Sequence, residues 1–337
     1  MTGAGKLRLP RIGLVAAIAI SAWALLGSAA AEANTITVGS VLPAGPTSKP
    51  VAEVDTFLNT ALPEKGANLT SPASGVIVRW RLQGAKGGPF YLRVLRPNGL
   101  GAYTAVGKSD PATVTSAGLV TFNTNLPIKA GDVLGVDPTS AADELGFATA
   151  AGAAFTTIFP TPFEGATVPA RNPESGQELE LSAEVQPTPT VTAISPGKGS
   201  VTGGTVVKVT GTDFTSASAV KFGTEPAATF KVESDSEIVA TAPKSAKVNT
   251  VDITVTTIAG TSAAARADRF TYSGCVVPKL NKKKLGKAKD LIRGAGCAVG
   301  KVTKTHGVTN KTGKVVKQGP SAGKVVARGT KVNLKLG

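Results

Sequence analysis

Residues 203–211 read Gly203-Gly204-Thr205-Val206-Val207-Lys208-Val209-Thr210-Gly211. The paired glycines supply the positive φ of a tight turn, a conformation that other residues enter at a steric cost. Directly behind them Val207 and Val209 alternate with Lys208, which puts the valines on one face of an extended strand and the lysine on the other. Phe214 and Phe222 then fall where a two-sheet sandwich needs large side chains in its core. The centre of the chain therefore reads as β-sandwich.

The same period of two runs upstream. Residues 75–82 set Val76, Val78, Trp80 and Leu82 against Ile77, Arg79 and Arg81, and residues 90–95 repeat the pattern with Phe90, Leu92 and Val94. Further strand-like runs lie at 119–122, 132–136 and 178–185, each bounded by turn residues such as Pro97-Asn98-Gly99. Many short strands at this spacing predict a β-sandwich, jelly-roll-like, over residues 34–186. Trp80 alternates in phase with Val76 and Leu82, so the pattern assigns it to the core rather than to a sugar-stacking surface. Arg79, Arg81, Arg93 and Arg96 are expected on a solvated face. Glu174, Glu178, Glu180 and Glu184 stand at even spacing, which predicts a solvent-facing edge.

Gln186-Pro187-Thr188-Pro189-Thr190 separates this unit from the next, and residues 187–190 read as an extended, semi-rigid spacer. A chain of 337 residues, rich in Gly and Pro and poor in helical pattern, fits two or three such domains.

Charge divides the chain more sharply than composition does. Residues 275–337 hold 16 Lys and Arg against one acid, Asp290, whereas the other 274 residues hold 21 basic and 21 acidic side chains. The formal +15 thus belongs to one small basic module on a neutral body. A field so concentrated attracts polyanions. The other end of the chain bears on which polyanion. Lys6, Arg8 and Arg11 precede an apolar run over 12–26, and Ala29, Ala31 and Ala33 offer A-x-A cleavage patterns. This predicts a signal peptide over residues 1–33 and a secreted, extracellular protein. The run is short of the roughly 20 residues a membrane span needs, and an uncleaved anchor is the alternative. Export argues against nucleic acid as the partner, and no stable membrane span is expected after cleavage.

Ile194-Ser195-Pro196, Gly203-Gly204-Thr205, the strand from Val207 to Gly211 with Phe214 behind it, Val220-Lys221-Phe222-Gly223, Ile238, Pro243, Gly260 and the closing Phe270-Thr271-Tyr272 recur in order. On these residues, 191–272 resembles an IPT/TIG domain, which implies an immunoglobulin-like fold serving as a spacer or interaction platform.

The basic module carries its own signature. Val277-Pro278-Lys279-Leu280 opens it, and Leu285, Ala288, Leu291, Ile292 and Ala295 follow as the apolar stripe of a short helix that Gly296 stops. Strands are predicted at 300–305, 314–318 and 331–336. With Gly313 to Gln318, Pro320, Gly323, Gly329-Thr330 and Val332-Asn333-Leu334, residues 275–337 resemble a PASTA domain. That resemblance implies a small α+β module associated with peptidoglycan. The family commonly has glycine in the turn before the helix, and Asn281-Lys282 stand there instead.

Sixty-three residues lie near the lower limit of autonomous stability. The chain has two cysteines, Cys275 and Cys297, at the two ends of the first strand-plus-helix segment. In an exported protein such a pair is expected to form a disulfide, with two free thiols as the alternative.

Catalysis finds few residues to work with. His306 is the single histidine and reads as a solvated loop residue, which leaves most triads and zinc sites without a member. No cofactor and no metal are expected, and a carboxylate pair for glycoside cleavage is the remaining enzymatic reading.

The whole chain reads as a mainly β, multidomain, non-catalytic protein of the bacterial cell envelope. Its C-terminal module would attach to peptidoglycan or anionic wall polymer through Lys282, Lys283, Lys284, Lys287, Lys289, Arg293, Lys301 and Lys304, unless these charges only keep a small domain soluble. The alternative function is an adhesin-like interaction protein whose N-terminal or central domain binds a glycan or a protein.

Overall fold

The computed structural model describes residues 34–337 apart from residues 44 and 117. The leader expected over 1–33 lies outside the described residues. Among the described residues, no helix is long and apolar enough to cross a membrane.

Twelve strands build the first sandwich: β1 (Ile36–Gly39), β2 (Thr47–Pro50), β3 (Thr56–Ala61), β4 (Gly75–Gln83), β5 (Tyr91–Pro97), β6 (Ala102–Lys108), β7 (Leu119–Ile128), β8 (Val133–Asp137), β9 (Glu144–Ile158), β10 (Thr167–Pro169), β11 (Glu174–Leu179) and β12 (Leu181–Pro187). One sheet runs β1-β12-β4-β7; the other runs β10-β6-β5-β8-β3-β9-β11, with β2 added on β9. Trp80, Ile77, Leu82, Phe90 and Leu92 fill the space between them, and Trp80 lies 4.7 Å from Phe122. Trp80 is in the core, as its phase predicts.

The strict alternation of residues 75–82 is broken by a bulge. Register slips between Ile77 and Arg79 on one side of β4 and between Glu184 and Val185 on the other, and the extra residue brings Ile77 wholly inside. The larger sheet is also covered on its outer face. Leu58, Leu95, Ala105, Val133 and Ile158 form a second small core there, with Tyr103 and Val168 against it. Both faces of β5 and β8 are consequently buried, and Arg93 is taken inside with them.

Three expectations fail here. The arginines expected on a solvated face are all paired, and although Arg79 and Arg96 keep 47% and 41% of their side chains exposed, Arg93 does not. Arg79 and Arg81 both meet Glu184, Arg96 grips Asp132 with two hydrogen bonds of 2.8 and 3.0 Å, and Arg93 is buried against Asp137. Most of the acidic edge is an interior: Glu174 is exposed at the start of β11, as expected, but Glu178 and Glu180 are wholly buried and Glu184, on β12 between β1 and β4, nearly so. The spacer is not a spacer. Pro187 ends β12 opposite Gly75, where its missing N–H breaks no ladder, and Thr188 N donates to Ser74 O at 3.0 Å. Pro189 is buried and the next strand begins at Thr190, while Gln186 Nε2 donates to Ser216 Oγ of the second sandwich at 2.6 Å.

The second sandwich comprises β13 (Thr190–Ser195), β14 (Lys198–Ser200), β15 (Val206–Thr212), β16 (Ala219–Phe222), β17 (Glu225–Pro226), β18 (Thr229–Ser234), β19 (Glu237–Thr241), β20 (Thr250–Thr257), β21 (Gly260–Thr261) and β22 (Arg269–Ser273). Its sheets are β13-β15-β19-β18 and β14-β22-β20-β16-β17, with β21 on β20. Gly203 and Gly204 have φ of 77° and 82°, and Val207, Val209, Phe214 and Phe222 are all buried. Lys208 points outward to Glu237 at 2.6 Å.

The basic module holds β23 (Cys275–Val276), α1 (Leu285–Gly294), β24 (Ala298–Lys304), β25 (Val315–Gly319), β26 (Val325–Val326) and β27 (Lys331–Leu336). The stripe expected on the helix is its inner face, with Leu285, Ala288 and Ile292 buried against Val332, Leu334 and Leu336 of β27. Cys275 and Cys297 are joined by a disulfide, with Cα atoms 5.3 Å apart. The glycine-less turn is made by Lys282 at φ 63°, closed by Lys283 N donating to Leu280 O at 3.0 Å. The short β23–β26 pair escaped the sequence reading. At the junction with the second sandwich, a Cβ on Gly274 would stand 2.7 Å from Val201 Cγ2 and 2.8 Å from Val326 O, so only glycine fits.

Candidate functional site

The three-stranded sheet of the basic module has order β24-β27-β25. β27 alternates strictly. Val332, Leu334 and Leu336 turn inward, so Lys331, Asn333 and Lys335 turn out. Antiparallel pairing sets Lys317 of β25 directly opposite Lys335, and parallel pairing sets Thr303 of β24 opposite it on the other side. Partners in register share a face of the sheet, so these residues form one exposed row.

Lys301 joins this row through a local irregularity. The register of β24 slips between Val299 and Val302, and Asn333 Oδ1 accepts a hydrogen bond from Lys301 N at 2.8 Å across the slip. Gly300 permits the approach, since a Cβ there would stand 2.2 Å from Asn333 Oδ1. The result is a groove of about 310 Å³ lined by Lys301, Thr303, Lys317, Gln318, Asn333 and Lys335. Gln318 is committed elsewhere: its side chain accepts from Leu280 N at 2.9 Å and donates to Pro278 O at 3.0 Å, which ties the opening segment of the module to the sheet.

Among the described residues, no ion pair involves any basic side chain of residues 275–337. The charge of this module is therefore not taken up by close ion pairs, either within it or with the sandwiches. A row of ammonium groups with a hydroxyl and an amide between them can take an anion such as carboxylate or phosphate, by charge and by hydrogen bond together.

The eight residues predicted from sequence do not come together as one site. Lys301 is in the groove. Lys282, Lys283 and Lys284 occupy the exposed turn that leads into α1, and Lys287, Lys289 and Arg293 ride on that helix. Lys304 closes β24 in register with Leu336, an inward-facing residue, and stands exposed outside the groove row. The first three lie at the helix N-terminus, where the helix dipole disfavours positive charge. Lys317, Lys335, Thr303 and Asn333 were missed. The alternation of 331–336 was the available signal, but it becomes a site only once β25 and β24 are set on either side of it.

The acids of the first sandwich also converge, but inside it. Ser40 Oγ donates to Glu178 Oε1 at 3.0 Å, the Glu64 carboxyl lies within hydrogen-bonding reach of Glu178, and both oxygens of Glu180 have no hydrogen-bond partner. Burial, followed by the neighbouring Glu64 carboxyl, pushes Glu178 up to about 7 against the pull of Ser40. Burial and the charges of Glu178 and Glu64 push Glu180 up to about 8. Glu184 goes the other way: burial raises it, but Arg81 and Arg79 outweigh that and hold it below the usual carboxylate range. With no exposed surface, Glu178 and Glu180 present no carboxyl to a substrate. His306 is an exposed loop residue, as its sequence context predicts.

Comparison with known proteins identifies two of the three units. Residues 189–272 are an IPT/TIG domain and residues 276–337 a PASTA domain, within a few residues of the boundaries expected from sequence. Neither match reaches the first sandwich. This pairing of domains is that of an extracellular or envelope binding protein. The chain has no match among curated proteins. Among solved structures it is similar to the plexin A4 full extracellular region, at 16% identity and a TM-score of 0.25. That likeness covers 73% of this chain and 19% of the other, so the chain spans about a fifth of its length.

Proposed function

We propose that this chain is an exported, non-catalytic protein of the bacterial cell envelope whose C-terminal module holds anionic wall polymer, the carboxylates of peptidoglycan or teichoic-type phosphates. One observation carries this reading: Lys301, Lys317 and Lys335 crowd one groove with no carboxylate paired to them. Like charges directly opposite in a sheet destabilise it. A bound anion relieves that repulsion. The helix-side cations, Lys282 to Arg293, add a long-range field that draws the polymer in without fixing its pose. The two sandwiches carry no such excess and would present the tail or hold further partners.

Sedimentation of the full-length protein with purified sacculi, intact and phosphate-stripped, tests this across a salt series. Replacing Lys301, Lys317 and Lys335 by Ala should abolish most retention, whereas the same change at Lys282, Lys283 and Lys284 should weaken it less. Retention should fall as salt rises, since exposed charges are screened beyond about 10 Å at 0.1 M. Unchanged retention after removal of residues 275–337 would refute the proposal.

A further inference from the structure

The segment that leads into β1 reaches across to the second sandwich. Asn34 and Thr35, with Pro187 at the end of β12, line one side of a cleft of about 490 Å³, and Thr212, Asp213 and Asp235 line the other. Asn34 Nδ2 donates to Asp235 Oδ2 at 3.1 Å, across 201 residues of sequence. The other oxygen of that carboxyl is held by Thr215, whose Oγ1 and N donate to Asp235 Oδ1 at 2.6 and 3.3 Å. Asp235 is therefore fixed in place, and Asn34 meets it there.

Charge in this cleft is one-sided. Among the described residues, neither Asp213 nor Asp235 forms an ion pair. Burial pushes the Asp213 carboxyl above its ordinary range against a hydrogen bond from Thr212, and the charge of Asp235 adds to the push. Two neighbouring carboxylates without a counter-ion favour any cation brought between them.

The chain can bring one itself. Ala31-Glu32-Ala33 is an A-x-A pattern, and cleavage behind it makes Asn34 the first residue. Hydrolysis of the Ala33–Asn34 amide consumes one water. The Ala33 carbonyl carbon takes the water oxygen and leaves with the leader as a carboxylate, while both water hydrogens end on the Asn34 nitrogen, which becomes an ammonium. That nitrogen is at most about 5 Å from the amide of its own side chain, so the new charge faces the aspartates. Before cleavage a neutral amide stands at the same point. We propose that removal of the leader at Ala33 closes an electrostatic clasp, in which the α-ammonium of Asn34 neutralises Asp213 and Asp235 and holds the first sandwich against the second. The clasp rests on the export reading of residues 1–33 and adds to it a structural result of processing.

Full-length protein exported from a bacterial host and purified from outside the cells provides the test. Mass spectrometry should give Asn34 as the first residue. Acylation of its amine by a succinimidyl ester at pH 7, read on the N-terminal peptide, should run about tenfold more slowly in the parent than in Asp213→Asn with Asp235→Asn, the effect of opposite charge held close. Salt at 1 M should narrow that gap. Asp235 also anchors Thr215, so Asp213→Asn alone serves where the double variant does not fold, and it should recover part of the rate. Hydrogen exchange at residues 34–36 should be faster in Asp213→Asn than in the parent. A retained leader would sink the export reading together with the clasp. A first residue other than Asn34, equal acylation of parent and variants, or equal exchange would overturn the clasp alone.

Discussion

Lys317 and Lys335 stand directly opposite each other across the β25–β27 pair, exposed and without a carboxylate partner. Their repulsion lowers stability and serves binding, so the two should respond to mutation with opposite signs. Lys335→Ala is expected to raise the stability of the PASTA domain by about 0.2–1 kcal/mol, the range of a cross-strand pair. The same change should lower retention on sacculi. Thermal unfolding beside sedimentation measures both, and a variant that loses stability and binding together would show that the lysine is merely structural.

The disulfide between Cys275 and Cys297 closes a loop of 22 residues in a domain of modest core. On the chain-entropy account such a loop restricts the unfolded state by about 3 kcal/mol. Replacing both cysteines by Ala should cost the tail roughly that amount. Denaturant unfolding with and without reductant, followed by circular dichroism, should give the same loss by reduction as by mutation.

Buried Arg93 and Asp137 form an ion pair that Thr56 completes, its Oγ1 donating to Asp137 Oδ1 at 2.6 Å. Removing one member strands the other charge inside. Asp137→Ala should therefore destabilise the first sandwich by about 3–5 kcal/mol. Denaturant titration followed by the fluorescence of Trp80, buried in the same sandwich, reports the change directly. Arg93→Met with Asp137→Leu should recover most of the loss, since neither charge is then left unpaired.

Glu178 and Glu180 give that sandwich an unusual pH profile. Their folded values, about 7 and about 8, lie above the ordinary 4.5. The folded state thus binds protons more tightly than the unfolded chain does. The stability this confers is complete below about 4.5 and is lost as pH rises through 7 to 8. Denaturant midpoints should fall from pH 5 to about pH 8 and level off from there to pH 9. Glu180→Gln should flatten the fall and raise stability on the alkaline side.

Lys282 holds a left-handed conformation, φ 63°, that glycine adopts freely. Lys282→Gly should stabilise the tail by about 1 kcal/mol, the order of the left-handed penalty for a side chain. Thermal unfolding of the variant checks it.

Much of this architecture was legible because its signals are local. Paired glycines before alternating valines, the stripe Leu285–Ala288–Ile292 and the phase of Trp80 each report on neighbours a few residues away. What escaped depends on partners distant in sequence. Ile77 is inside because two partner strands slip register beside it. Glu178 and Glu180 stand two residues apart, yet which way they look is decided by distant partners: β11 lies along β9 some thirty residues back, and Ser40, 138 residues upstream, meets Glu178. Arg93 reads as solvated until Asp137 comes beside it. The groove escaped for the same reason: Lys301 and Lys335 meet through parallel pairing across some thirty residues, whereas the run Lys282–Lys284 is dense in the sequence itself.

Cys275 is the first residue past the close-packed Gly274, and Cys297 immediately precedes the strand that carries Lys301. Were the protein tethered by its groove and tugged from the sandwiches, tension would cross the sulfur bridge straight into that strand. The helix and its glycine-free turn would hang outside the line of force, slack while the grip is loaded.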